Sequence, residues 1–324
     1  MTKKTKPRIK LGFTFSLSII ASVFIFALIL KNSSLASKEV SDALKICSSI
    51  LIPSLFPLTV ASEIVTNSGA IEKITQGLCK PLAKILGVGK SATVPYFLGL
   101  FGGYSSSCKS AVLLYQNGKI SKNDCESIIA LSNMPSMAFM TGFIGIGIFN
   151  NSTVGWKLWV IAVLSTLILG MINNLFFKNN REIYRCDNLS KPQKIRFSRI
   201  VVDAIAHAAH AMLIICACVI FFSVLIGVLR LNIEAVPISN EAKELFLGMF
   251  EITKGISSCK NIENDSLRAI ACAFLAGWSG FCVHFQVISL CEDADISFRK
   301  YFIFKGLQGI ICLLLAFVIF GFKF

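Results

Sequence analysis

The chain has 324 residues, 54% of them apolar and 15% charged, with a mean hydropathy of +0.70 and a formal net charge of +14. One soluble core of that length could not bury so much apolar surface, so the composition points to an all-α polytopic membrane protein. The bases are spread along the chain instead of gathered on one module; orientation across a membrane accounts for them, and nucleic acid is not an expected partner.

Seven apolar runs approach or exceed the roughly 20 residues that a helix needs to cross a bilayer. They are Leu11–Leu30, Cys47–Val65, Ile128–Phe149, Leu158–Phe177, Ile200–Leu229, Leu267–Leu290 and Tyr301–Phe322. The first follows Lys3, Lys4, Lys6, Arg8 and Lys10, the flank of a signal peptide. Its length and the lack of a clear small-x-small site favour a membrane span, Leu35-Ala36-Ser37 being the nearest approach to a cleavage site. With the amino terminus cytoplasmic, Lys/Arg clusters at 1–10, 73–90, 119–122, 178–199 and 299–305 all fall inside. The carboxyl terminus then falls outside. Between Ile71 and Leu86, apolar residues alternate with Lys73, Gln76, Lys80 and Lys84, the pattern of an amphipathic helix on the cytoplasmic surface of the bilayer.

Phe97-Leu98-Gly99-Leu100-Phe101 leading to Ser106-Ser107-Cys108-Lys109 is echoed by Phe246-Leu247-Gly248-Met249-Phe250 leading to Ser257-Ser258-Cys259-Lys260. Val40-Ser41-Asp42-Ala43-Leu44 and Val201-Val202-Asp203-Ala204-Ile205 likewise each open a span. The chain therefore divides into an N-terminal segment, 1–36; one repeat, 37–178; a basic cytoplasmic loop, 179–199; and a second repeat, 200–324. Within the repeats, Ala92–Tyr115 and Glu241–Lys260 are too interrupted by Gly and Ser for lipid-facing helices, because irregular backbone needs cover in hydrocarbon. Re-entrant helical hairpins fit them. Three spans and one hairpin per half give the halves opposite topology, the inverted-repeat plan of many secondary transporters. The rival reading is that Gly99, Gly102 and Gly103 let helices pack closely.

Polar residues at the breaks are the candidate solute site. Gly103, Tyr104, Ser105, Ser106 and Ser107, with Lys109, offer amides, hydroxyls and an ammonium to an anionic or hydroxyl-rich solute; helix capping by the serines is the alternative. Glu251, Thr253 and Ser257 are the counterparts in the second half. Glu251 reads as a cation site, a proton carrier, a hydrogen-bond acceptor for solute, or the internal partner of Lys254 or Lys260. Asn133 and Ser136 flank Pro135, which frees a carbonyl in the preceding turn, and Ser279, His284 and Gln286 take the corresponding place later. Asp203, His207 and His210 share a helical face, where a spacing of three and no third ligand favour a proton relay or a hydrogen-bonded seam over zinc. Glu63, with no partner evident in sequence, reads as an interfacial residue. Cys47, Cys216, Cys218, Cys272, Cys282 and Cys312 lie inside apolar runs, and no CxxC occurs, so buried small hydrophobes are expected. No hydrolase elbow, phosphate loop or catalytic carboxylate pair is present, so neither an enzyme nor a cofactor is indicated.

Several motifs together resemble the sporulation integral membrane proteins of the YlbJ type, which carry two nucleoside-recognition (Gate) domains. They are Leu51-Ile52-Pro53-Ser54-Leu55-Phe56-Pro57, Gly102-Gly103-Tyr104, Phe250-Glu251-Ile252-Thr253-Lys254-Gly255, Gly277-Trp278-Ser279-Gly280-Phe281-Cys282-Val283-His284-Phe285-Gln286-Val287, and Tyr301-Phe302 with Gly306-Leu307-Gln308-Gly309. The resemblance runs from about Ile46 to Phe322 and makes the two repeats Gate-like. It implies an endospore-forming bacterium, a role in spore cortex formation, and distant kinship with concentrative nucleoside transporters, without a demonstrated nucleoside ligand. Where that family has Gly-Tyr-Pro and a second Gly, this chain has Ser105 and Ser107, so the tip conformation does not carry over. Two functions are expected: a transporter-like protein for a small polar solute, or a non-transporting membrane scaffold of a sporulation complex. The lipid bilayer is the expected partner, with a coupling cation or proton and a second copy of the chain as further candidates.

Overall fold

A computed structural model describes residues 8–68, 77–176, 196–233, 235–292 and 294–321, and within them every regular element is a helix. In chain order these are α1 (Arg8–Lys31), α2 (Ser33–Ile46), α3 (Ile52–Asn67), α4 (Cys79–Leu86), α5 (Thr93–Gln116), α6 (Lys122–Ser132) and α7 (Phe139–Phe149). There follow α8 (Ser152–Phe176), α9 (Phe197–Ile233), α10 (Asn240–Gly248), α11 (Ile252–Ser258), α12 (Asp265–Trp278), α13 (Gly280–Leu290) and α14 (Arg299–Phe320). Among the described residues, five helical stretches are long and apolar enough to cross a membrane: Ser33–Val65, Ser152–Phe176, Phe197–Ile233, Asp265–Leu290 and Arg299–Phe320. A sixth is gained if α4 and Lys90–Gln116, bent by 92°, count as one.

The elements depart from seven uniform spans where the sequence interrupts helical hydrogen bonding. The expected span Ile128–Phe149 is two half-helices, because Pro135 supplies no amide and Asn133–Ser136 leave the helix before the π-helical start of α7. Leu267–Leu290 is broken at Ser279, which sits at φ 77. The span expected from Cys47 starts earlier, at Ser33; α2 and α3 join through a π-helical turn, Cys47–Leu51, which widens the chain just where the Pro53 ring would crowd the preceding turn. Of the expected surface helix Ile71–Leu86, residues 71–76 lie outside the described residues; α4 carries its remainder, with Ala83 and Leu86 buried and Lys80 and Lys84 exposed. Residues 177–195, which take in most of the basic loop 179–199, lie outside them too.

Both interrupted segments double back. Gly103 takes φ 73 and ψ −167, a conformation open to glycine, and reverses α5 upon itself. A Cβ on Gly99 would lie 3.2 Å from Ser107 Cβ, although eight residues of unbroken helix would set the two about 12 Å apart. In the second segment a Cβ on Gly248 would meet Gly255 Cα at 2.8 Å, so α10 and α11 also lie arm against arm. Thus hairpin, broken helix and continuous helix occur twice in that order: α5, α6–α7, α8, then α10–α11, α12–α13, α14. Helix α9 lies along α2 and α3, while α14 packs on α12, α8 and α6. Cys47, Cys272, Cys282 and Cys312 are buried, whereas Cys216 and Cys218 on α9 are half-buried.

Candidate functional site

Each hairpin tip docks on the break of the helix that follows it. At the first, Gly103 lies against Ser136, whose Oγ accepts the Phe139 amide at 3.2 Å and starts α7. At the second, the carbonyls of Met249 and Phe250 accept the amides of Phe281 (2.9 Å) and Cys282 (3.0 Å), and Met249 O also accepts the Trp278 indole N–H at 3.0 Å. The tip thereby satisfies amides that the start of α13 would otherwise leave bare. Glu251, 1% exposed, caps the returning arm: its carboxylate accepts the amides of Thr253 (2.9 Å) and Lys254 (2.6 Å). The Lys254 ammonium does not pair with Glu251, as one reading of the sequence had it, but with Glu39 of α2. Arg230 of α9 grips Glu244 of α10 through both guanidinium nitrogens.

Between the two tips and the two breaks lies a small cavity of about 90 Å³. Gly103, Tyr104 and Ser105 of the first tip line it, with Ser136 of the first break, Glu251 and Thr253 of the second tip, and Ser279 and Gln286 of the second broken helix. Leu55 and Thr59 of α3 and one face of α9, from Ala211 to Val219, close the wall. The mixture of apolar walls and a few converging polar groups is that of a small-molecule pocket. Tyr104 donates to Gln286 Oε1 at 2.6 Å, tying the first hairpin to the second broken helix across 182 residues of sequence.

Five of the residues singled out from the sequence lie elsewhere. Ser106 turns toward Glu63, 3.5 Å away, and Ser107 bonds Ser132 between the hairpin and α6. Asn133 and His284 both turn away from the cavity onto the Tyr301 hydroxyl, at 2.6 and 2.8 Å. The Ser257 hydroxyl is buried with no hydrogen-bond partner among the described residues. The face of α9, Thr59 and Cys218 were not singled out, since nothing distinguishes them from any apolar helix wall. Glu63 gains a partner in space, lying 3.6 Å from His207, while Asp203 lies 3.6 Å from Arg199.

A second, wider cavity, about 700 Å³, lies on the other side of the Tyr104–Gln286 bond, bounded by Glu63, Lys109, His207 and His210. Tyr104, Ser105, Cys218, Cys282 and Gln286 line both cavities, so that bond stands in the partition between them.

The sporulation integral membrane protein YlbJ of Bacillus subtilis (strain 168) is 25% identical to this chain over 328 aligned residues, which cover 90% of the chain and 80% of that protein. No family model matches the chain. No solved structure matches it significantly. Over nearly its whole length the chain is thus similar to that integral membrane protein, and its described residues form an all-helical fold with five to six candidate membrane spans.

Proposed function

We propose that this protein acts in bacterial sporulation, in the formation of the spore cortex, as a transporter-like membrane protein that binds or moves a small polar solute at its paired hairpin tips. The observation that carries the reading is the convergence of both tips and both helix breaks on one cavity, where Tyr104, Ser105, Ser136, Glu251, Thr253, Ser279 and Gln286 present their polar groups among apolar walls. Broken helices are how membrane transporters bring backbone and side-chain polar groups to mid-membrane without facing lipid. In this reading the halves are inverted repeats, the amino terminus is cytoplasmic, and a cation or proton accompanies the solute. The sporulation role of the Bacillus subtilis relative supports the cellular setting.

The test is thermal unfolding of the purified full-length protein against a panel of nucleosides, amino-sugar precursors and small organic acids. A ligand at 100 times its Kd stabilises by about 2.7 kcal/mol, a readily measured rise in Tm. The reading expects such a shift with at least one class, and its loss in the Gln286→Ala variant. No shift with any class, in a protein that unfolds cooperatively, would favour a scaffold role for the same fold.

A further inference from the structure

Glu251 and Lys305 are the two Asp, Glu, Lys or Arg side chains fully buried among the described residues, and neither forms an ion pair there. Each is held at the end of a half-helix whose backbone carries the opposite partial charge. Glu251 caps the amides that begin α11. Lys305, 0% exposed on α14, reaches the other kind of end: its Nζ donates to the carbonyl of Asn133 at 2.8 Å, and Asn133 is the residue that caps the C-terminus of α6.

The surroundings of Nζ are those of a cation site. Its second acceptor is Gln308 Oε1 at 2.7 Å, which the Gln308 amide anchors to Ser165 Oγ at 3.4 Å. Asn133 Oδ1, at the same break, is buried and has no donor among the described residues. These ligands are all neutral oxygens, set where α6 stops and where Pro135 withholds an amide from the preceding carbonyls. An isolated ammonium is costly to bury, so its place there needs a compensating negative potential, which the carbonyl end of α6 supplies.

We infer that the break between α6 and α7 contains a monovalent-cation site filled by the tethered ammonium of Lys305, so that this break is neutralised by the protein's own cation and not by one drawn from solution. The inference concerns the far side of the break from the cavity and holds whether or not the cavity binds a solute.

The test compares full-length wild type, Lys305→Ala and Lys305→Met in detergent, each purified and melted in choline, potassium or ammonium chloride at equal ionic strength. Wild type should unfold at one temperature in all three salts, because its site is occupied. Lys305→Ala should unfold lower in choline and recover in potassium or ammonium, by about 2 °C at a tenfold excess over Kd. Lys305→Met, which fills the space with an apolar chain, should be destabilised in every salt without recovery. Failure of both ions to rescue Lys305→Ala, or a Lys305→Met protein as stable as wild type, overturns the inference. So does a wild-type melting temperature that rises in potassium, and that measurement stands even if neither variant folds.

Discussion

Replacing Glu251 separates two meanings of a buried carboxylate at a hairpin tip. Its two oxygens accept the amides of Thr253 and Lys254 at 2.9 and 2.6 Å, so the Glu251→Ala variant leaves bare one amide at the buried Thr253 and one at the half-buried Lys254. Each orphaned buried donor costs about 1–3 kcal/mol, partly offset because the carboxylate no longer has to be desolvated. A net loss of about 2–4 kcal/mol follows, in line with the upper end of measured N-cap deletions. For a chain of this size that is a fall in Tm of about 3–6 °C. The shorter Glu251→Asp side chain is itself a favoured cap and should recover at least half of the loss. Unfolding can be followed with a thiol-reactive dye, since Cys259 at the base of the hairpin and Cys272 on the neighbouring α12 are both buried and free. A Glu251→Ala protein melting within about 1 °C of wild type would refute the capping account, because a single intact cap alone is worth more than that shift. Glu251 would then be a ligand for something that enters from outside.

The close approach of α10 and α11 predicts opposite outcomes for two glycines. In Gly255→Ala the new methyl would overlap the Gly248 backbone, and overpacking of about 1–3 kcal/mol should lower Tm; in Gly306→Ala, where nothing lies within 4 Å, gained helix propensity should raise stability by up to about 1 kcal/mol. Equal melting temperatures for the two would mean the arms are not in contact. Tyr104→Phe removes the hydroxyl that bonds Gln286 in the partition between the two cavities. Losing one hydrogen bond of about 1 kcal/mol should raise the modification rate of Cys282 by a small maleimide about fivefold, read by mass spectrometry. An unchanged rate would show that the partition stands without that bond.

The sequence makes the hairpins legible because both depend on local chemistry: glycine at the reversal, small residues where the arms touch, and an echo that marks the segment twice. The site is legible to the level of segments but not of side chains, and helical rotation is the reason. Ser105, Ser106 and Ser107 follow one another on a helical arm, where each step turns about 100°, so one faces the cavity, the next Glu63 and the third Ser132. Two residues apart on α13, His284 and Gln286 point in opposing directions for the same reason. Lys305 is conspicuous as a charge inside an apolar run, yet its partner is the backbone carbonyl of Asn133, which no residue type announces. Glu63 has the same difficulty: His207 meets it only because α9 runs along α3.

The Tyr301 hydroxyl carries a consequence for how the protein can be divided. It serves Asn133 from the first broken helix and His284 from the second, and four residues on Lys305 serves the Asn133 carbonyl. Similar as they look, the two halves have become mutually dependent. The first half, made alone, would leave an asparagine amide without its acceptor and a helix end without its donor in its own interior, and the second would keep a lysine with no acceptor from its neighbour. Neither half could stand as a separate subunit without first replacing Asn133, Tyr301 and Lys305 together.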